Sequence, residues 1–225
     1  MTLISKYQQY SISLIISLLP FLVSVFSFMI FIPLNNNTQS CIAIYDYISY
    51  IERSLVTITD DTQTLSGVLI KGNFHDDLVI TSTRRMNRLN MQNALYSIQI
   101  QNIDSVQATA GDFIPNKNIG FIQITTPSYI SGLSFSSVQP SIGEIGYTAT
   151  LVNNKLISTS GRYLNSITLD NGNLVHIYSG EVDISYEGSP VIDQCGKLLG
   201  IIIEGNEKYF AISSMPPELL NNTFN

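Results

Sequence analysis

The chain has 225 residues, with 11 Lys+Arg against 17 Asp+Glu, a net charge of -6 and a pI near 4.7. That length suits one well-packed domain with a short appendage, and so few cations exclude a surface built to hold a nucleic-acid backbone. Only 12% of the residues are charged, well below the usual figure of about a quarter, and one segment carries part of the deficit.

Residues 1–11 form a short N-terminal tail. From Ile12 to Leu34 the sequence ISLIISLLPFLVSVFSFMIFIPL carries no charge and is interrupted only by Ser and Pro. At about 1.5 Å per residue a helix of this length crosses the roughly 30 Å of bilayer hydrocarbon, so 12–34 predicts a transmembrane helix. A cleaved signal peptide, and hence a secreted domain, is the alternative. Pro20 is compatible with a span, because transmembrane helices tolerate proline. Lys6 is the sole charge before the span, while Asp46, Glu52 and Arg53 follow it, which points the N-terminus toward the cytosol. Sequons at Asn36 (Asn36-Asn37-Thr38) and Asn221 (Asn221-Asn222-Thr223) suit an extracellular or lumenal glycoprotein domain.

Residues 35–53 read as a stalk. Cys41 and Cys195 are the only cysteines; one disulfide between them, or two separate thiols, both fit the sequence. From Ser54 to Ser214 short apolar runs follow one another: LVTI, GVLI, DLVITS, YSIQI, IGFIQI, IGYTATLV, KLISTS, NSITL, LVHIY, SPVID, LLGIII and YFAISS. Gly, Asn and Asp punctuate them, as at Asp170-Asn171-Gly172. Ile, Val, Tyr and Thr favour strands, and no run is long enough for a packed helix. The expected fold is all-β, a pair of packed antiparallel barrels over 54–214 preceded by one transmembrane helix. Residues 215–225 form a C-terminal tail. Two cysteines and two histidines are scattered rather than grouped, and no glycine-rich loop joins a strand to a helix, so neither a metal nor another cofactor is expected.

The order of these runs resembles the chymotrypsin-like (trypsin/HtrA-type) serine peptidases. Ser66-Gly67-Val68-Leu69-Ile70 is similar to the glycine-led strand before the first catalytic loop, and Val79-Ile80-Thr81-Ser82-Thr83-Arg84 to the family's V-[IL]-T-[AS]-A-H run. Asn118-Ile119-Gly120-Phe121-Ile122-Gln123-Ile124 resembles D-[IL]-A-[LV]-[LV]-x-[IL]. Ser185-Tyr186-Glu187-Gly188-Ser189-Pro190-Val191 resembles G-[DN]-S-G-[GS]-P-[LV], and Tyr209-Phe210-Ala211-Ile212-Ser213-Ser214 resembles the closing G-F-A-I-P-S strand.

The resemblance implies a trypsin-like double barrel and places histidine, aspartate and serine where this chain has Arg84, Asn118 and Glu187. An arginine stays protonated and is no general base. Asn118 is neutral and has no imidazole to orient. Glu187 is a poor nucleophile, and Ser185 replaces the glycine whose N–H helps bind an oxyanion. The chain is therefore expected to be an inactive member of this family, a pseudopeptidase and not an enzyme.

Arg84 and Glu187 are expected to meet across the cleft between the barrels and brace it with bidentate hydrogen bonds. Glu181 resembles the position that sets the primary pocket, and Ser185, Ser189, Arg85 and Arg88 are candidate pocket or interface residues. The expected role is a membrane-anchored structural or interaction subunit bound to a protein partner. Peptide recognition in the cleft, with a strand edge as the docking line, and a divergent hydrolase are the alternatives.

Overall fold

The structure, a computed structural model, describes residues 47–59, 64–70, 77–84, 95–100, 105–114, 118–125 and 132–214. The segment 12–34 lies outside them, and no helix among the described residues is long and apolar enough to cross a membrane. The chain divides into two units, 1–40 and 41–225, and every described residue belongs to the second.

Among the described residues, twelve strands close into two six-stranded antiparallel barrels. The first comprises β1 (Leu55–Thr59), β2 (Thr64–Ile70), β3 (Asp77–Ser82), β4 (Leu95–Ile100), β5 (Val106–Ile114) and β6 (Ile119–Ile124), in the order β1-β2-β3-β6-β5-β4, with β4 pairing back to β1. The second comprises β7 (Ile145–Val152), β8 (Lys155–Thr168), β9 (Leu174–Ser179), β10 (Pro190–Ile192), β11 (Leu198–Gly205) and β12 (Tyr209–Ser214), in the order β10-β11-β12-β9-β8-β7, with β7 pairing back to β10. The expected all-β pair of barrels is thus observed.

Strand alternation explains why the runs are so apolar. On β2, β3 and β6 one face fills the first barrel with Leu65, Leu69, Val79, Ile122 and Ile124. The opposite face of the same strands, with Val68, Ile70, Ile80, Ile119 and Phe121, packs against Ala149, Ile192, Leu198 and Ile201 of the second barrel. Strands buried on both faces lose the polar half of the usual period-two pattern. The second barrel's core combines aliphatic residues with Tyr163, Tyr178, Tyr186 and Phe210, of which Tyr178 and Phe210 stack at 5.3 Å and 6°.

Two connections fix the barrels to each other. The segment 132–140 runs between them: Leu133 N donates to Leu69 O, and Ser136 N to Leu198 O, each at 2.9 Å. The short helix α1 (Tyr47–Glu52) falls within the stretch 35–53 read as a stalk. Its Ile51 is fully buried in the inter-barrel core and its Tyr47 ring lies 4.2 Å from that of Tyr147 on β7. Asn153 and Asn154, both at positive φ, close the β7–β8 hairpin, as a two-residue type I′ turn requires.

The run KLISTS and all but the last residue of NSITL form one strand of 14 residues, β8. Its middle passes close to the neighbouring strand, where a Cβ on Gly161 would stand 2.0 Å from Ser179 O. Strand β5 matches none of the apolar runs.

Candidate functional site

β3 ends at Ser82, and the buried Thr83 and then Arg84 follow. Antiparallel pairing of β3 with β6 sets Ser82 opposite Ile119, so the residue just before β6, Asn118, lands beside the end of β3. Thr83 N donates to Asn118 O at 2.9 Å, and Asn118 adopts φ +53, a turn conformation asparagine accepts more readily than most residues. Two of the three slots therefore sit side by side at one end of the first barrel.

The third slot comes from the second barrel. A 3-10 turn, Ile184–Tyr186, is capped by Asp183, and Glu187 and Gly188 follow it. Gly188 has φ +89 and lies against β2 and β3, within reach of Ser66 O and Thr81 Oγ1. Gly188 N donates to Ile202 O at 2.8 Å, and Ile202 N to Ser189 O at 2.9 Å. Glu187 is buried, with its N–H donating to Ile184 O at 3.3 Å.

A buried polar network lies beneath this turn and crosses from one barrel to the other. Thr81 Oγ1 donates to Ser66 O at 2.6 Å; Ser66 Oγ and Thr150 Oγ1 share a hydrogen bond of 2.6 Å. Ser185 O lies 2.9 Å from Thr150 Oγ1 and 3.3 Å from Ser66 Oγ, so the two hydroxyl protons serve three contacts. The carbonyl of Ser185 is thus turned inward. Its N–H donates to Asp183 Oδ1 at 2.8 Å, and its hydroxyl to the same oxygen. In this state the N–H that the family resemblance assigns to an oxyanion is already engaged. Burial, assisted by Asp183, pushes the Tyr186 phenol up, so it stays neutral at physiological pH.

Arg84 does not meet Glu187. Its Nη1 lies 2.9 Å from Glu204 Oε2 and 3.5 Å from Ile203 O, both on β11. The expected Arg84–Glu187 brace is therefore not observed; Arg84 reaches across to a different carboxylate, through one nitrogen. Glu187 is drawn inward by the turn that buries it, whereas Glu204 is exposed on β11 and reachable by a long side chain. β11 pairs with β10 only as far as Pro190↔Ile201, with the Gly188 and Ser189 bonds to Ile202 extending the contact. From Ile203 to Gly205 the edge on that side carries no strand partner among the described residues, and Arg84 occupies its first carbonyl.

The remaining candidates are spread. Glu181 is exposed in the loop before the 3-10 turn, where Val182 N donates to Asn206 O at 3.1 Å. Ser185 is half-buried, and Ser189 is fully buried, so Ser189 presents no interface surface in this state. Cys195 is disulfide-bonded in the β10–β11 hairpin. Arg85, Arg88, Cys41, Asn36 and Asn221 lie outside the described residues. Sequence reasoning missed Glu204, the one charge at the end of the run LLGIII, and Asp183, four residues before a buried carboxylate. A charge closing an otherwise apolar strand is the signal that marks the first of them.

No family model matches the chain. No curated protein matches it either. Solved structures do. The inactive form of the Rv3671c protease matches with a TM-score of 0.62 at 16% identity, covering 80% of this chain and 93% of that one. The active form of the M. tuberculosis enzyme gives 0.61 at 15%, covering 80% and 83%. The serine protease of human pathogenic astrovirus gives 0.57 at 16%, covering 74% and 91%. The double barrel is therefore a fold used by chymotrypsin-like serine proteases. These matches correct the expectation that the chain is not an enzyme. The fold is shared with proteases in active as well as inactive form, so an exclusion of activity drawn from three residue slots does not stand.

Proposed function

We propose that the chain recognises an extended segment of a protein partner in the cleft between its barrels, docking it on the edge of β11 from Ile203 to Gly205. The observation that carries this reading is the pairing of Arg84 with Ile203 O and Glu204. A side chain of the first barrel already takes the place that a backbone N–H of an added strand would take. Strand addition supplies main-chain hydrogen bonds for affinity, and neighbouring side chains supply selectivity. The exposed Glu204 and Glu181 flank that line. Residues 12–34 hold the domain at a membrane, which raises its effective concentration toward partners there, and Asn36 and Asn221 carry glycans on the far side.

The test is hydrogen exchange on full-length protein in detergent, with and without a library of unstructured peptides of about a dozen residues, long enough to cover a strand edge. Slowed exchange of the Ile203–Gly205 amides on peptide addition is the expected result. Peptides that bind while leaving those amides unchanged, or no binding by wild type and Arg84→Ala alike, overturn the reading. Mass spectrometry of the recovered peptides reports in the same samples whether any bond is cut. Resistance of the protein to alkaline carbonate extraction tests the membrane tether; release into the supernatant refutes it.

A further inference from the structure

Away from the cleft, the second barrel holds a group of side chains that the proposed function leaves unused. Ser166 on β8 is the register partner of His176 on β9, and Ser166 Oγ lies 2.8 Å from His176 Nδ1. Tyr163, set three residues before Ser166 by the bulge in β8, shares a 2.5 Å hydrogen bond with the same hydroxyl. Ser166 is partly exposed, whereas His176 is buried, with the Tyr163 ring edge-on at 5.7 Å. Beyond the imidazole is a small cavity of about 50 Å³ walled by His176, Leu199, Ser214 and residues 136–140. His176 Nε2 takes no hydrogen bond from the described residues, and a cavity of this size admits water.

From this arrangement we infer that Ser166 is a nucleophile toward small activated acyl or phosphoryl groups, with His176 as its proton acceptor. A hydroxyl reacts when its proton has somewhere to go, and a neutral imidazole within hydrogen-bond reach provides that. Burial lowers the pKa of His176, so the ring is neutral at physiological pH. Tyr163 is the titratable group packed against it, and no residue walling the cavity is charged. With Ser166 donating to Nδ1, the Tyr163 hydroxyl donates to Ser166 Oγ and stabilises the charge that develops there.

The step balances. Ser166 Oγ attacks phosphorus in a phosphonyl fluoride, the O–P bond forms, and the P–F bond breaks with its electron pair leaving on fluoride. The hydroxyl proton passes to Nδ1, and the imidazolium releases its Nε2 proton to water in the cavity.

The full-length protein is incubated with an alkyl fluorophosphonate and followed by intact mass and peptide mapping. A single adduct on Ser166 is expected. Its rate should rise with pH through one inflection below the ordinary imidazole value and then level. Ser166→Ala should abolish it, and His176→Gln should slow it by about 100-fold or more, as loss of a general base does. No adduct, an adduct on another residue, or a rate without that inflection overturns the assignment. The mapping on wild-type protein decides the point even where a variant fails to fold. The family's serine slot holds Glu187, so no alkoxide at that position competes for the label.

Discussion

Gly188 lies so close to β2 that a Cβ on it would stand 2.0 Å from the carbonyl oxygen of Ser66. The turn carrying Glu187 is therefore wedged against the first barrel, and it enters that position with a φ of +89. Gly188→Ala combines backbone strain with a collision against rigid main chain, and should cost about 2–4 kcal/mol. Gly172 is the control: it also has a positive φ, +78, but nothing within 4 Å of a built Cβ. Gly172→Ala should cost only about 1 kcal/mol. Denaturant midpoints of the two variants separate contact from conformation; equal losses would show that the inter-barrel contact contributes nothing.

The Arg84–Glu204 pair spans the barrels, but both side chains are well exposed, at 45% and 64%. Solvent screening limits such a pair to about 0–1 kcal/mol, so neither Arg84→Ala nor Glu204→Gln should move the unfolding midpoint appreciably. Affinity for an extended peptide should respond instead. Releasing Ile203 O from the guanidinium frees one acceptor on the β11 edge, a gain of about tenfold at most. Fluorescence anisotropy with a labelled peptide checks this, and weaker binding by Arg84→Ala would mean that the arginine contacts the ligand rather than blocking it.

Thr150 Oγ1 and Ser66 Oγ lie 2.9 and 3.3 Å from the inward-turned carbonyl of Ser185 and 2.6 Å from each other, so two protons serve three contacts and either hydroxyl can supply the carbonyl's donor. Removing either leaves the other, so each single variant, Ser66→Ala or Thr150→Val, should cost about 1 kcal/mol. The double variant leaves a buried carbonyl without a donor from either side chain. It should lose more than the sum, with a coupling of about 0.5–3 kcal/mol. A double-mutant cycle in urea measures it, and strict additivity would show that the two hydroxyls act independently.

Legibility in the sequence tracks how strongly burial marks a segment. β2, β3, β6 and β11 are buried on both faces or nearly so, and they are plain as apolar runs. β5, VQATAGDFI, is a barrel strand without such a run. It is fixed by its ladders to β4 and β6 rather than by its own propensity. Helix α1 has only six residues and is held by Ile51 and Tyr47, which no helical period in so short a piece reveals. The positions of Arg84, Asn118 and Glu187 at one inter-barrel site follow from their places in strand order. Which carboxylate Arg84 meets does not, because a turn decides it: the 3-10 turn and Gly188 carry Glu187 inward, while β11 presents Glu204 to the cleft.

His176 couples the second barrel to pH. Burial holds its pKa below the ordinary 6.5, so the unfolded chain binds a proton that the folded chain rejects. Between the lowered folded value and 6.5 the unfolded state holds more protons, and stability therefore rises with pH through this window. As pH falls below 6.5 the barrel should lose about 1.4 kcal/mol for each unit by which the folded value lies lower, levelling once the folded ring also protonates. Other groups contribute their own slopes, so the relevant quantity is the difference between wild type and His176→Gln. Urea midpoints measured from mildly alkaline to mildly acidic pH should converge for the pair as the medium is acidified, because the variant lacks this destabilisation. A gap that stays constant across that range would mean that the folded barrel accepts the proton as readily as the unfolded chain does.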